Sequence, residues 1–269
     1  MNTTAAHSAD GTPITFERFG TGHPVILVGG AFNDRSTVAG LAAALAPHCM
    51  TVTYDRRGRG SSGDSSPGDD HRAREHEFDD LAAVISAVGG TASLFGHSSG
   101  GVLVLEATAA RPALGTERLV VYEPAYVIEG TRPVPGPDLI VRLRALLDED
   151  RRDDAVALYQ VEAIGLPGPM VEGMRGSDMW GFLTAMAPSL PYDAALYDPG
   201  FGPPQQRLAT ITVPTLAVAG SNTFPSLLAA TKEVARVIPH ARFVELQGED
   251  HGILQRPAAL AQVMTDFLA

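Results

Sequence analysis

The sequence predicts an α/β fold, a mostly parallel twisted sheet with helices on both faces and a helical insertion. Three observations lead there. Residues 25–28 and 118–122 are short, largely apolar runs, as strands covered on both faces require. Such runs alternate with helix-spaced segments at a pace that implies βαβ crossovers and hence parallel pairing. The rhythm breaks over residues 126–205 and then resumes, which places an insertion between two strands of one sheet. The expected organisation is a core domain, residues 1–125 and 206–269, carrying a helical cap, 126–205.

Taken in order, residues 14–19 alternate apolar and polar, predicting a half-exposed strand that ends at Gly20 and Gly22. The run at 25–28 predicts a buried strand, followed by Gly29, Gly30, Ala31 and Phe32. Ser36 is placed to cap a helix running to Ala46, with Pro47 as its stop. Residues 50–54 read as the next strand, ahead of a basic, glycine-rich turn over 55–63. That turn has the look of a phosphate loop but lacks the G-x-x-x-x-G-K-[ST] order. Helical spacing over 77–88 puts Phe78, Leu81, Val84, Ile85 and Val88 on one face. A strand then leads into Gly96-His97-Ser98-Ser99-Gly100, and 101–110 is a strong helix former. The strand at 118–122 delivers Glu123 and Pro124 at its carboxyl end. The insertion has Pro-rich patches, a charged helix over 139–150 and a Met-, Phe- and Trp-rich stretch. Strand 213–219, helix 226–237, strand 241–246 and helix 258–268 complete the pattern.

Composition narrows the classes. The chain of 269 residues is 45% hydrophobic and 19% charged, ordinary for a globular protein, and has no apolar run long enough to span a bilayer. A formal net charge of -11 argues against a nucleic-acid partner, since no basic surplus exists to displace counterions. Cys49 is the single cysteine and excludes an internal disulfide, and the first residues lack the basic-then-apolar pattern of a secretory signal. The expected location is the cytoplasm. Oligomeric state stays open, a homodimer among the options.

Gly96-His97-Ser98-Ser99-Gly100 is a G-x-S-x-G turn between strand and helix, the setting in which a serine hydroxyl is presented as a nucleophile. Ser98 has glycines two positions before and after it, whereas Ser99 has His97 two positions before, so Ser98 is the candidate. A serine needs a base. Of the eight histidines, His251 stands in a loop between the last strand and the last helix, from which an imidazole can reach the turn. His97 is expected to point elsewhere, and His7, His23, His48, His71, His76 and His240 are read as solvated.

With that turn and the Gly-Glu-Asp-His-Gly loop at 248–252, the chain resembles the α/β-hydrolase superfamily over nearly its whole length. The resemblance implies an oxyanion hole from the amide of Ser99 and a second amide in the loop after 25–28, by position Ala31, with Phe32 as the other option. It implies an acid too. The family's usual acid slot is empty here, with Thr223 in place and no Asp or Glu between Val213 and Lys232, while the alternative slot holds Glu123. Glu249 or Asp250 acting locally, Asn222 as a neutral orienter, and Glu123 as a merely solvated residue remain as alternatives. A Glu in that slot with Ser98 and His251 resembles the zearalenone-type lactone hydrolases, which implies a substrate role for Trp180. Haloalkane dehalogenases share the slot but use an aspartate nucleophile, which Ser98 rules out.

The implied function is cleavage of a carboxylic ester or lactone through an acyl-enzyme on Ser98, with no metal or organic cofactor. Met179, Trp180, Phe182 and Phe32 are the expected contacts to an apolar small molecule. Other chemistries on the same triad stay open, namely C–C bond hydrolysis, acyl transfer or cyclisation, as does a weakly catalytic small-ligand receptor.

Overall fold

The computed structural model describes residues 3–197 and 200–269. Among them, β1 (Thr4–His7), β2 (Pro13–Phe19), β3 (Pro24–Val28), β4 (Met50–Tyr54), β5 (Ala92–His97), β6 (Thr116–Tyr122), β7 (Thr215–Gly220) and β8 (Ala241–Leu246) form one sheet in the order β1-β2-β4-β3-β5-β6-β7-β8. The two pairings of β2 are antiparallel and all later ones parallel. Side chains on successive strand residues go to opposite faces. Val25, Leu27, Phe95, Val120 and Tyr122 therefore fall in one buried cluster, and Ile26, Val28, Leu94, Leu119 and Val121 in the other. Each fully buried Val, Leu or Ile contributes about 1.5–3 kcal/mol of transfer free energy.

The helices are α1 (Ala39–Leu45), α2 (Ala73–Ala87), α3 (Ser99–Ala110), α4 (Leu139–Asp148), α5 (Arg152–Tyr159), α6 (Gly168–Met174), α7 (Asp178–Ala185), α8 (Leu190–Ala195), α9 (Gln205–Leu208), α10 (Pro225–Val237) and α11 (Ala258–Leu268). Helices α1 and α11 cover one face of the sheet, and α2, α3 and α10 the other. Helices α4 to α9 lie between β6 and β7 in sequence. Their Leu143, Val156, Leu183 and Leu190 join the same cluster as α2 and α3. No helix among the described residues is long and apolar enough to cross a membrane.

The elements follow the predicted order, with instructive differences. The edge strand β1 escapes prediction because in Thr-Ala-Ala-His only Ala6 is buried. Residues 35–38 form a 3-10 turn before α1, and its cap is Asp34, whose Oδ1 accepts from the Ser36 amide at 2.9 Å, not Ser36. Helix α2 starts at Ala73 rather than near 77, because His76, Glu77 and Asp80 are polar residues buried within it. His76 is thus not solvated.

The partners of that polar face are the arginines of the turn after β4. Arg56 donates from Nε to Glu77, Arg57 donates from Nε and Nη2 to Asp80 at 2.8 and 2.7 Å, and all four of these side chains are buried. Arg56 Nη1 and Arg59 Nη2 both reach Asp193 of α8, at 2.7 and 2.6 Å, and Ser99 Oγ donates to the same carboxylate at 2.8 Å. The basic turn that resembled a phosphate loop is consumed by internal carboxylates. Asp193 is fully buried, and the two guanidiniums hold its carboxyl below the usual range against the opposing effect of burial. Removing one member of such a group strands its partners' charges. Asp193→Ala is expected to lower stability by about 3–5 kcal/mol, read from urea denaturation midpoints. A loss below about 1 kcal/mol would show that the two arginines find other partners.

Candidate active site

Strand β5 ends at His97 and helix α3 begins at Ser99, so Ser98 alone makes the turn, at φ 56 and ψ -123. A residue with a Cβ is strained there. Among the described residues the other non-glycine positions with positive φ are Phe32, Glu123 and Asp150; Phe32 directly follows Ala31 of the Ser98 cavity, and Glu123 bonds His251, which lines it. Position 30 must be glycine, since a Cβ there would lie 2.9 Å from Ser98 Cβ and 3.0 Å from the His97 carbonyl oxygen.

Glu123 directly follows β6 and is fully buried. Its Oε1 accepts from the Gly220 amide at 2.8 Å, and its Oε2 accepts from Thr223 Oγ1 at 2.8 Å and from His251 Nδ1 at 2.6 Å. The carboxylate is the acceptor, so Nδ1 of His251 carries the proton and Nε2 is left as a base. Thr223, the residue at the position where an acid is expected, supplies one of the donors to Glu123. Asp250 and Glu249 turn away: Asp250 accepts from the Gly252 amide and faces Arg256 at 3.3 Å, and Glu249 lies 3.9 Å from Arg256. Asn222 Nδ2 donates to the Gly248 carbonyl.

His97 is closer to this group than its sequence position suggested. Its ring centroid lies 4.6 Å from that of His251, and its Nε2 donates to the His251 carbonyl at 3.0 Å. Burial, and next the neighbouring His251, lower its pKa to about 3, so His97 stays neutral and holds the loop by that bond. Tyr122 adds a second tie, donating to the Asp250 carbonyl at 2.8 Å.

The two amides expected to serve an oxyanion are those of Ser99 and Ala31, both residues lining the cavity with Ser98. That of Ser99 opens α3 and has no carbonyl to bond within the helix, and it sits at the positive end of the helix dipole. The Ala31 amide is oriented from behind. Arg59 Nη1 donates to the Gly30 carbonyl at 2.7 Å, and in a trans peptide the next N–H points the opposite way. Asn33 fixes the same loop, accepting from the Gly30 amide and donating to the Ala31 carbonyl, both at 3.2 Å. Ala31, Ser98, Ser99 and His251 all line one cavity of about 200 Å³. A cleft of about 280 Å³ between the Pro-rich loop and Tyr197 touches none of these residues.

The model of the alpha/beta hydrolase family matches residues 20–263 of this sequence. The chain belongs to the alpha/beta hydrolase family. An alpha/beta hydrolase from Sphaerobacter thermophilus is 44% identical, with a TM-score of 0.89 over 99% of this chain and 100% of that one. The fold is shared with an esterase from Thermogutta terrifontis, 23% identical over 100% and 98% of the two chains with a TM-score of 0.74. It is also shared with an enol-lactonase from Burkholderia xenovorans, 22% identical over 98% and 99% with a TM-score of 0.71. No curated protein matches the sequence.

This hydrolase-family chain places the expected apolar contacts away from Ser98. Among the described residues, Met179, Trp180 and Phe182 do not line the cavity: Met179 and Phe182 are 58% and 43% exposed, and the Trp180 indole donates to Asp153. Phe32 does not line it either, but packs edge-on against Tyr159, which does, with centroids 5.7 Å apart. In their place the wall is formed by Arg132, Tyr159, Tyr197, Phe224 and Leu227. Nothing in the sequence periodicity marks these five, because their convergence depends on how α5 and the flanking loops pack. Among the described residues no group of at least three His, Cys, Asp or Glu is arranged to hold a metal ion.

Proposed function

We propose that the protein is a serine hydrolase that cleaves a carboxylic ester or lactone of a small molecule through an acyl-enzyme on Ser98. The observation that carries this reading is the 2.6 Å bond from His251 Nδ1 to the buried Glu123, on a ring that lines the same cavity as Ser98. In the proposed cycle His251 Nε2 takes the Ser98 proton as Oγ attacks the carbonyl carbon, and Glu123 stabilises the resulting imidazolium. The Ala31 and Ser99 amides receive the charge on the carbonyl oxygen. His251 then protonates the leaving alkoxide, and water, deprotonated by the same nitrogen, releases the acid and restores Ser98. Residues 126–205 act as the cap that walls the cavity. The esterase and enol-lactonase with this fold carry out reactions of the same kind, which is consistent with the proposal.

A small alkyl fluorophosphonate tests this directly. Intact mass should show one adduct per chain, peptide mapping should place it on Ser98, and Ser98→Ala should abolish it. A folded protein that takes up no adduct would mean that the serine is not activated, and a ligand receptor would become the better account.

A further inference from the structure

We propose that Arg132, with the hydroxyls of Tyr159 and Tyr197, forms a carboxylate-binding subsite in the Ser98 cavity, so that the ester or lactone cleaved there carries a second, anionic carboxylate. This deepens the hydrolase reading and rests on Ser98 as the nucleophile.

The argument begins with what holds Arg132. Its Nη1 donates to the carbonyls of Glu162 and Pro133 at 3.3 and 3.4 Å, and its Nη2 to the carbonyl of Ala163 at 2.7 Å. These three bonds leave the Nε hydrogen and one Nη2 hydrogen without a partner among the described residues. The chain beside it turns at Gly165, with φ +87, where a Cβ would come within 3.0 Å of Arg132 Cδ. The side chain is thus seated between backbone carbonyls and a glycine, in a fixed pose.

Its charge has no partner. Among the described residues no carboxylate stands within salt-bridge distance of Arg132, whereas the three buried arginines after β4 are each matched to a carboxylate. Asp193, a buried acid on the inserted segment, is already neutralised by Arg56 and Arg59. Burial pulls the Arg132 pKa below its ordinary value, against weaker opposing effects of Tyr197 and Tyr159. Those tyrosines are the second observation. Both line the cavity, the two residues are only 2% and 5% exposed, and among the described residues neither hydroxyl is engaged by another protein group. Neither oxygen is among the sealed, unsatisfied polar atoms, so each opens onto the cavity, where it can donate to a ligand. A cation with spare donors and two hydroxyls open to the same cavity fit an anion with two oxygens, and the apolar Phe224 and Leu227 that also line it suit the carbon skeleton of a substrate.

Two pairs of compounds test the proposal. 4-Acetoxybenzoate and its methyl ester differ in a carboxylate on the alcohol side, and monomethyl and dimethyl adipate differ in one on the acyl side. The intact enzyme should prefer the anionic member of at least one pair in kcat/KM. Arg132→Gln should erase that preference by about 10- to 100-fold while changing the neutral member little. A Tyr159→Phe, Tyr197→Phe double variant, which leaves the carbonyl contacts of Arg132 alone, should weaken it by a smaller factor. Calorimetric binding of 4-acetoxybenzoate to the Ser98→Ala protein, with and without Arg132→Gln, reads the subsite without catalysis. Equal losses for both members of each pair would assign Arg132 a purely structural role and overturn the proposal. So would the absence of any anionic preference in an enzyme that labels at Ser98. Failure to label at Ser98 would instead remove the hydrolase reading, and the binding measurement would still decide the subsite.

Discussion

Ser98→Ala is expected to lower kcat on an ester by about a million-fold and to leave stability nearly unchanged, whereas Ser98→Gly should lose the same activity and gain stability. The backbone at Ser98, φ 56 and ψ -123, is strained for any residue with a Cβ, at a cost of about 1–3 kcal/mol. Alanine keeps the Cβ and so keeps the strain. Glycine releases it, at the expense of about 0.4–1 kcal/mol of extra freedom in the unfolded chain, for a net gain near 1 kcal/mol. Activity is read with a chromogenic ester, stability from denaturant midpoints. The neighbouring hydroxyl cannot take over, because Ser99 Oγ is buried and donates to Asp193. Residual turnover within about a hundredfold of the intact enzyme would place the nucleophile elsewhere. A glycine variant no more stable than the alanine one would mean that the turn is not a strain reservoir.

The core of this fold was legible because sheet strands buried on both faces write themselves as short apolar runs, and the interruption at 126–205 was legible as lost rhythm. The flanking glycines singled out Ser98, the loop singled out His251, and the lack of an acid between Val213 and Lys232 singled out Glu123; the structure joins His251 to Glu123 at 2.6 Å and lines one cavity with His251 and Ser98, the arrangement on which their proposed roles rest. Three things were not legible. The arginines at 56, 57 and 59 appear in sequence as a basic, glycine-rich turn with the look of a phosphate loop, and only tertiary contact with Glu77, Asp80 and Asp193, the last 134 residues from Arg59, reveals buried ion pairs. The first turn of α2 was hidden because Arg74, Glu75 and His76 are polar, and His76 is buried there all the same. The residues lining the cavity were not legible because hydrophobicity does not report position: Met179 and Phe182 are exposed, while Arg132 and two tyrosines line the same cavity as Ser98. Burial pattern reports what is covered, not what covers it.

Glu123→Gln is expected to lower kcat by about ten-thousand-fold with the fold retained, and the reason lies in which of its oxygens can be replaced. The carboxylate accepts three donors, the Gly220 amide on Oε1 and both Thr223 Oγ1 and His251 Nδ1 on Oε2. A glutamine has one acceptor oxygen. The Gly220 amide is fixed in β7 and can only donate, so it claims that oxygen, and the NH2 group is forced into the Oε2 position. Thr223 can rotate its hydroxyl to accept, but the imidazole facing an NH2 must give up the Nδ1 proton. His251 then carries its hydrogen on Nε2, where it can no longer take the proton from Ser98. The loss is one of tautomer and of charge stabilisation, so it should fall on kcat rather than on KM. Thr223→Asp in the same background returns a carboxylate within reach of the Oε2 position, since Thr223 Oγ1 lies 2.8 Å from it, and should recover at least about tenfold of the lost kcat. A Glu123→Gln enzyme within tenfold of the intact one would pass the acid role to Glu249 or Asp250. Those residues would first have to leave Arg256, which they now face at 3.9 and 3.3 Å, and Asp250 would also have to leave the Gly252 amide.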